Sequence, residues 1–158
     1  MMRHQPLAAI PAALSALIDA GYALWRAGQL AAAQAQLAAA LAEAQARCCV
    51  AGQLSSRHLL GNLAFTRGDL TAARAQHRWV LATSERLGLT IGVASALHNL
   101  ALITAREGQL ATALCQLHMA ADCYTQLGMV DAAAAVRANS AAVEAGNIVC
   151  LGMGHEQR

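Results

Sequence analysis

Apolar and polar residues along this chain recur with a long beat. Gly28, Gly68 and Gly108 stand 40 residues apart, and each is followed by a polar residue and then Leu: Gln29-Leu30, Asp69-Leu70, Gln109-Leu110. Seven residues before each glycine is a small residue (Gly21, Gly61, Ala101); five after it is Ala33, Ala73 or Ala113, and twelve after it Ala40, Val80 or Ala120. Leu87-Gly88-Leu89 returns 40 residues later as Leu127-Gly128-Met129. A fixed period of this length marks an array of supersecondary units. Each unit reads as a helical hairpin, with a first helix over about 14–27, 54–67 and 94–107 and a second over about 30–47, 70–87 and 110–127. The glycine closes the first helix by taking the left-handed conformation. Small residues let the two backbones approach, and leucines fill the space beside them. One hairpin cannot bury its own apolar face, so neighbours must stack on it.

This places repeats at about 14–53, 54–93 and 94–131 in one domain spanning 1–158. A stretch at about 132–145 repeats the start of a hairpin, with Asn139 under Asn99, and is expected to cap the stack. The tail, 146–158, is apolar to Met153 and then polar; it is expected either to cover the last helix or to contact another chain.

Composition narrows the fold class to all-α. Of 158 residues 40 are Ala and 23 Leu, both strong helix formers, while aromatic residues are 3% and prolines two. Strands favour β-branched and aromatic side chains, which argues against a sandwich or barrel; 57% hydrophobic content argues against disorder. All eleven basic residues are Arg, and there is no Lys.

The units resemble the tetratricopeptide repeat family. The second copy is the plainest, Leu60-Gly61-Asn62-Leu63-Ala64-Phe65, then Gly68-Asp69-Leu70 and Ala72-Ala73. The family's usual unit is about 34 residues, and this chain is similar to its longer 40-residue variants of bacterial regulators. It departs from the pattern in lacking the early Trp of the first helix, where Leu17, Arg57 and Leu97 stand, and the Pro at the repeat end. The resemblance implies an α-solenoid of antiparallel hairpins, three repeats and a capping helix in a right-handed superhelix. It also implies a non-catalytic scaffold that holds a peptide or helix of another protein in a concave groove. Carried over position by position, that groove comprises Ser15, Ile18, Tyr22, Trp25 and Arg26; Ser55, His58, Asn62, Phe65 and Thr66; and Ser95, His98, Leu102 and Arg106. Aromatic and Arg side chains are the usual interface anchors, which favours Tyr22, Trp25, Arg26, Phe65 and Arg106. His58 and His98 stand at the same place in adjacent units; they line the groove or, alternatively, persist from duplication and cap local polar groups. The clamp by which some of these repeats hold chaperone carboxylates needs Lys, Arg and Asn in the groove. Here Ile18, Tyr22, Leu59 and Ser95 occupy those positions, and only Asn99 matches in kind.

Other chemistry is sparse. No HExxH, GxSxG or phosphate-loop pattern occurs, and no Cys has an evident His partner, so the chain reads as no enzyme and needs no cofactor. Gly152-Met153-Gly154 has no helix after it to make a phosphate loop. Cys115, His118 and Asp122 fall on one helix face, but without a fourth ligand they are not expected to hold a metal. Five cysteines without paired spacing indicate no disulfide framework or zinc finger; Cys48-Cys49 is placed in a loop between hairpins. A net charge of +2 gives no field that gathers nucleic acid, and the arginines of the second copy are offset by Asp69 and Glu85. The uncharged run 87–105 is 19 residues long but holds Gly88, Gly92, His98 and Asn99, and its counterpart carries Arg47 and Arg57. It is expected to be two helix pieces around a loop. The uncharged stretch 4–18 lacks a clean cleavage site. The expected setting is the cytoplasm, with no membrane and no nucleic acid among its partners. Self-association into a homo-oligomer, or sensing of a small peptide or metabolite, are the alternative functions.

Overall fold

A computed structural model describes residues 7–147; the tail from 148 onward and its glycine-rich end lie outside them. Among the described residues there are seven α-helices and no strand: α1 (Ala12–Arg26), α2 (Leu30–Ala46), α3 (Val50–Thr66), α4 (Leu70–Leu87), α5 (Thr90–Arg106), α6 (Leu110–Gln126) and α7 (Val130–Glu144). None is long and apolar enough to cross a membrane. The all-α expectation holds, and helices adjacent in sequence pack on one another. The chain divides into two compact units, Met1–Gln76 and His77–Arg158. In the first, α1 packs on α2 and both pack on α3; in the second, α5 packs on α6 and α6 on α7.

Six helix starts, from Leu30 to Val130, are spaced 20 residues apart, half the period of the sequence repeat. The reason is a shared short turn, of three residues at five junctions and two between α4 and α5. At the end of α1 the Gly28 N–H donates to the Trp25 carbonyl and the Gln29 N–H to the Leu24 carbonyl, both at 2.9 Å. This pair of bonds satisfies carbonyls the helix leaves open and requires a left-handed residue at its centre. The same pair recurs after all seven helices, around Gly28, Cys48, Gly68, Gly88, Gly108, Gly128 and Gly146. Cys48 is the one non-glycine in this position, at φ 52°. A side chain costs about 1–2 kcal/mol there, and the Cys48 thiol is exposed and offsets none of it by packing. Cys48→Gly is therefore expected to stabilise the chain by about 1 kcal/mol, read as a higher urea midpoint with an unchanged slope. An unchanged or lower midpoint would mean that the turn relaxes to accommodate cysteine.

The structure corrects two boundaries. The first helices of the second and third repeats begin at Val50 and Thr90, four residues before the expected 54 and 94. Gly52 and Gly92, which read as loop residues, are inside helices at points of close approach. A Cβ on Gly52 would lie 2.6 Å from Leu14 Cδ2 and 3.1 Å from Ala44 Cβ; one on Gly92 would lie 2.3 Å from Ser84 Oγ. The uncharged run 87–105 is thus the last residue of α4, a two-residue turn and nearly all of α5.

In the first unit the core has two joined parts. Trp25, Ala33, Leu37, Leu60 and Leu63 form one, with Tyr22 set edge-on to Trp25 at 6.0 Å between ring centres. Leu14, Ile18, Ala40 and Ala44 form the other. In the second unit Leu102, Ile103, Leu117, Val136 and Val143 are fully buried. The recurring alanines Ala33, Ala73, Ala113, Ala40 and Ala120 are all at 0% exposure, as close helix packing requires.

Candidate interaction surface

The first helices carry the expected groove residues, and burial sorts them. Ile18, Trp25, Asn62, Phe65, His98 and Leu102 are buried. Their side chains hold the core in place and offer a ligand little surface. Ser15, Tyr22, Ser55, His58 and Ser95 are half-buried, and Arg26, Thr66 and Arg106 are exposed. Of the five favoured anchors, two are core aromatics, Tyr22 packs against the first of them, and the two arginines remain at the surface.

Several of the polar members have partners inside the fold. Ser15 Oγ donates to Asp19 Oδ2 at 3.4 Å. The two equivalent histidines do different things. In the first unit the Asn62 amide donates to His58 Nε2 at 3.2 Å, within one helix turn. In the second, the Asn139 amide of α7 donates to His98 Nε2 at 2.7 Å, linking α5 to the last helix. Both histidines thus have an amide partner inside the fold, one within its own helix and one on another helix. Ser95 hydrogen-bonds the Tyr124 hydroxyl on α6. Cys115, His118 and Asp122 are all exposed on α6, and no group of three metal-ligating side chains converges among the described residues.

Tyr124 also carries a pH signature. Burial disfavours its phenolate and raises its pKa above the usual 10.0; the Ser95 hydroxyl opposes this by bonding the phenolate, and the charge of Cys123 adds to it. The folded chain holds the phenolic proton more tightly than the unfolded chain. The resulting stabilisation is whole below about pH 10 and is lost as pH climbs through the folded value. Tyr124→Phe is expected to flatten the decline in urea midpoint above pH 10, a range that no lysine complicates. Parallel declines in the two proteins would contradict a buried phenol.

One concave feature joins residues that the repeat pattern did not bring together. In the first unit a cleft of about 400 Å³ is lined by Gln34 of α2, Leu60 and Ala64 of α3, Arg67 and Asp69 of the turn, and Ala72 and Gln76 of α4. Leu60 and Ala64, each 7% exposed, give it an apolar floor. Arg67, Asp69 and Gln34 are exposed and form a polar rim. Two contacts fix Asp69 and Gln76. Asp69 Oδ1 accepts from the Ala72 N–H at 2.9 Å, capping the start of α4. Arg57 Nη1 donates to Gln76 Oε1 at 2.9 Å, which occupies the amide oxygen and leaves the Gln76 N–H groups as the donors it offers to the cleft. Partial burial lowers the pKa of the Arg57 guanidinium from its ordinary value, and the group still carries its charge at neutral pH. The cleft thus combines an apolar seat with a cation, a carboxylate and amide donors. Comparison with protein families, with curated proteins and with solved structures finds no match for this chain. Its chemistry rests on these residues alone.

Two of the rim residues had a signal in the sequence. Asp is the polar residue of the Gly-polar-Leu turn only in the second copy, where the others have Gln. Arg67 follows the first helix of that copy, where Ala27 and Glu107 stand in the others. Gln34 and Gln76 had none, because their meeting depends on how α2 and α4 flank α3.

Proposed function

We propose that this chain is a non-catalytic scaffold of tetratricopeptide-like hairpins that binds a peptide segment of another protein. The observation that carries the reading is the cleft between α2, α3 and α4, with its apolar floor and the polar side chains Gln34, Arg67, Asp69 and Gln76 around it. A peptide presents the matching chemistry: an aliphatic side chain for Leu60 and Ala64, backbone carbonyls for the donors, and charged groups for Arg67 and Asp69. Supporting it is the regularity of the turns. Helices tied by the same hydrogen-bond pair form rigid faces, so binding orders little of the scaffold. The resemblance of the 40-residue units to the tetratricopeptide family points the same way, and the cytoplasm remains the proposed setting. The ligand surface proposed here replaces the buried aromatics of the first helices by the cleft.

Selection from a displayed random-peptide library on the full chain tests this. Selected peptides are expected to bind Arg67→Ala and Gln76→Ala at least about tenfold more weakly, the equivalent of one charge-assisted hydrogen bond. Arg47→Ala, whose partner Glu43 lies on its own helix, is expected to bind as wild type. Peptides indifferent to both cleft variants would move the site elsewhere.

A further inference from the structure

The cleft of the first unit carries positive charge that the repeat does not require. Arg57 and Arg67 stand only in the second copy: Leu17 and Leu97 occupy the place of the first in the other copies, Ala27 and Glu107 that of the second. The same turn closes in all three copies, so neither cation is needed to build it. Arg67 follows α3 directly and is exposed on the rim, and its guanidinium makes no hydrogen bond or ion pair among the described residues. Asp69, two residues on, forms no ion pair with it. Its Oδ1 accepts from the Ala72 N–H at 2.9 Å, and a carboxylate at the start of an 18-residue helix is matched by the positive end of that helix. Two further N–H groups there are also in use: Leu70 donates to the Gly68 carbonyl and Ala73 to the Asp69 carbonyl, both at 3.0 Å. The charged donor left to the cleft is the Arg67 guanidinium, with the amides of Gln34 and Gln76 beside it. Arg57 Nη1, donating to Gln76 Oε1 at 2.9 Å, polarises that amide and makes its N–H groups stronger donors.

We propose, on the footing that the cleft takes a peptide, that its occupant is an extended segment with an acidic side chain two residues from an aliphatic one. Spacing sets the motif. The apolar floor is centred midway between Leu60 and Ala64 on α3, and Arg67 follows about 7.5 Å further along, at a rise of about 1.5 Å per residue. Residues i and i+2 of an extended chain point to one side and lie about 6.7 Å apart, so an aliphatic side chain on the floor brings the side chain two positions away to Arg67. A carboxylate there meets a planar guanidinium suited to two parallel hydrogen bonds. The residue between them points to the other side. An acid next to the aliphatic residue would be turned away from the cleft. A lysine or arginine in the acid's place would face Arg67 and Arg57, with only Asp69 to offset them. The apolar floor favours a peptide over a phosphate chain, which has no aliphatic side chain to seat there.

Two libraries of random segments, selected on the full chain, test this: one displays each segment between fixed flanks, the other ends it in a free carboxylate. With fixed flanks, wild type is expected to enrich Asp or Glu two positions from Leu, Ile, Val or Met, and Arg67→Glu to enrich Lys or Arg there instead. For one selected peptide, exchanging the acid for its amide is expected to weaken binding to wild type at least about tenfold. The same exchange is expected to change nothing on Arg67→Gln, because both substitutions remove one contact. Selected peptides that weaken on Gln76→Ala but carry no acid at that spacing would overturn the acidic motif and leave the cleft as the peptide site. Binders found only with a free terminus would also overturn the motif, by giving the carboxylate's role to a chain end. Peptides indifferent to Arg67 and Gln76 alike, or no binder from either library, would overturn both the motif and the cleft.

Discussion

Leu37→Ala is expected to destabilise the first unit by about 2–5 kcal/mol. The side chain is at 0% exposure among Trp25, Ala33, Leu60 and Leu63, so three helices lose contacts at once. The diagnostic part is its effect on a second site. A Cβ on Gly21 would lie 2.6 Å from Leu37 Cδ2 and 2.7 Å from Leu37 Cγ. Cγ moves only if Leu37 changes its χ1 rotamer, which its packed neighbours oppose, so Gly21→Ala alone is expected to cost about 1–3 kcal/mol by overpacking. With Leu37→Ala beside it, the obstacle is gone. Gly21→Ala should then gain up to about 1 kcal/mol from helix propensity and fill part of the cavity. Urea unfolding of the four proteins measures the coupling, whose sign is fixed by the contact. Additive changes would show that α1 and α2 slide apart instead of clashing.

Gly92→Ala sets two effects of opposite sign against each other. Helix propensity favours Ala in the first turn of α5 by up to about 1 kcal/mol. Packing opposes it, because the new methyl would lie 2.3 Å from Ser84 Oγ and 2.9 Å from Ser84 Cβ. Rotating the hydroxyl relieves the first contact but leaves the second, since Ser84 Cβ is attached directly to α4. The helices must spread, at about 1–3 kcal/mol, and packing wins. A drop in melting temperature is therefore expected, reversed by Ser84→Gly in the same chain. A rise in melting temperature for the single variant would mean that the α4–α5 junction has slack.

These two glycines show which parts of the fold are legible in the sequence. Gly28, Gly68 and Gly108 announce the helix ends correctly, because a left-handed closing residue is a local requirement that one residue type meets best. The 20-residue half-period stays hidden behind Cys48, which occupies the glycine position of its turn at φ 52°. Gly52 and Gly92 carry the same letter for a different reason, close approach, and so read as breaks. In the candidate groove the periodicity places Ser15, Tyr22, Trp25 and their equivalents along one side of the helix. Whether that side meets solvent depends on neighbours: Trp25 and Leu37 are twelve residues apart and pack together, while Arg26, next in sequence, is exposed. The cleft of Gln34 and Gln76 lies beyond sequence reasoning for the same cause.

The uniform turn has a consequence for how such a chain changes length. Every junction between helices uses the same backbone path, so excising or duplicating a 40-residue pair would join an end to a start that already fits. Losing a single 20-residue helix would also leave an intact turn, yet it would exchange first and second helices of the hairpin in every later position, with their different buried residues. Growth in pairs is thus enforced by the side chains, while the backbone permits single steps.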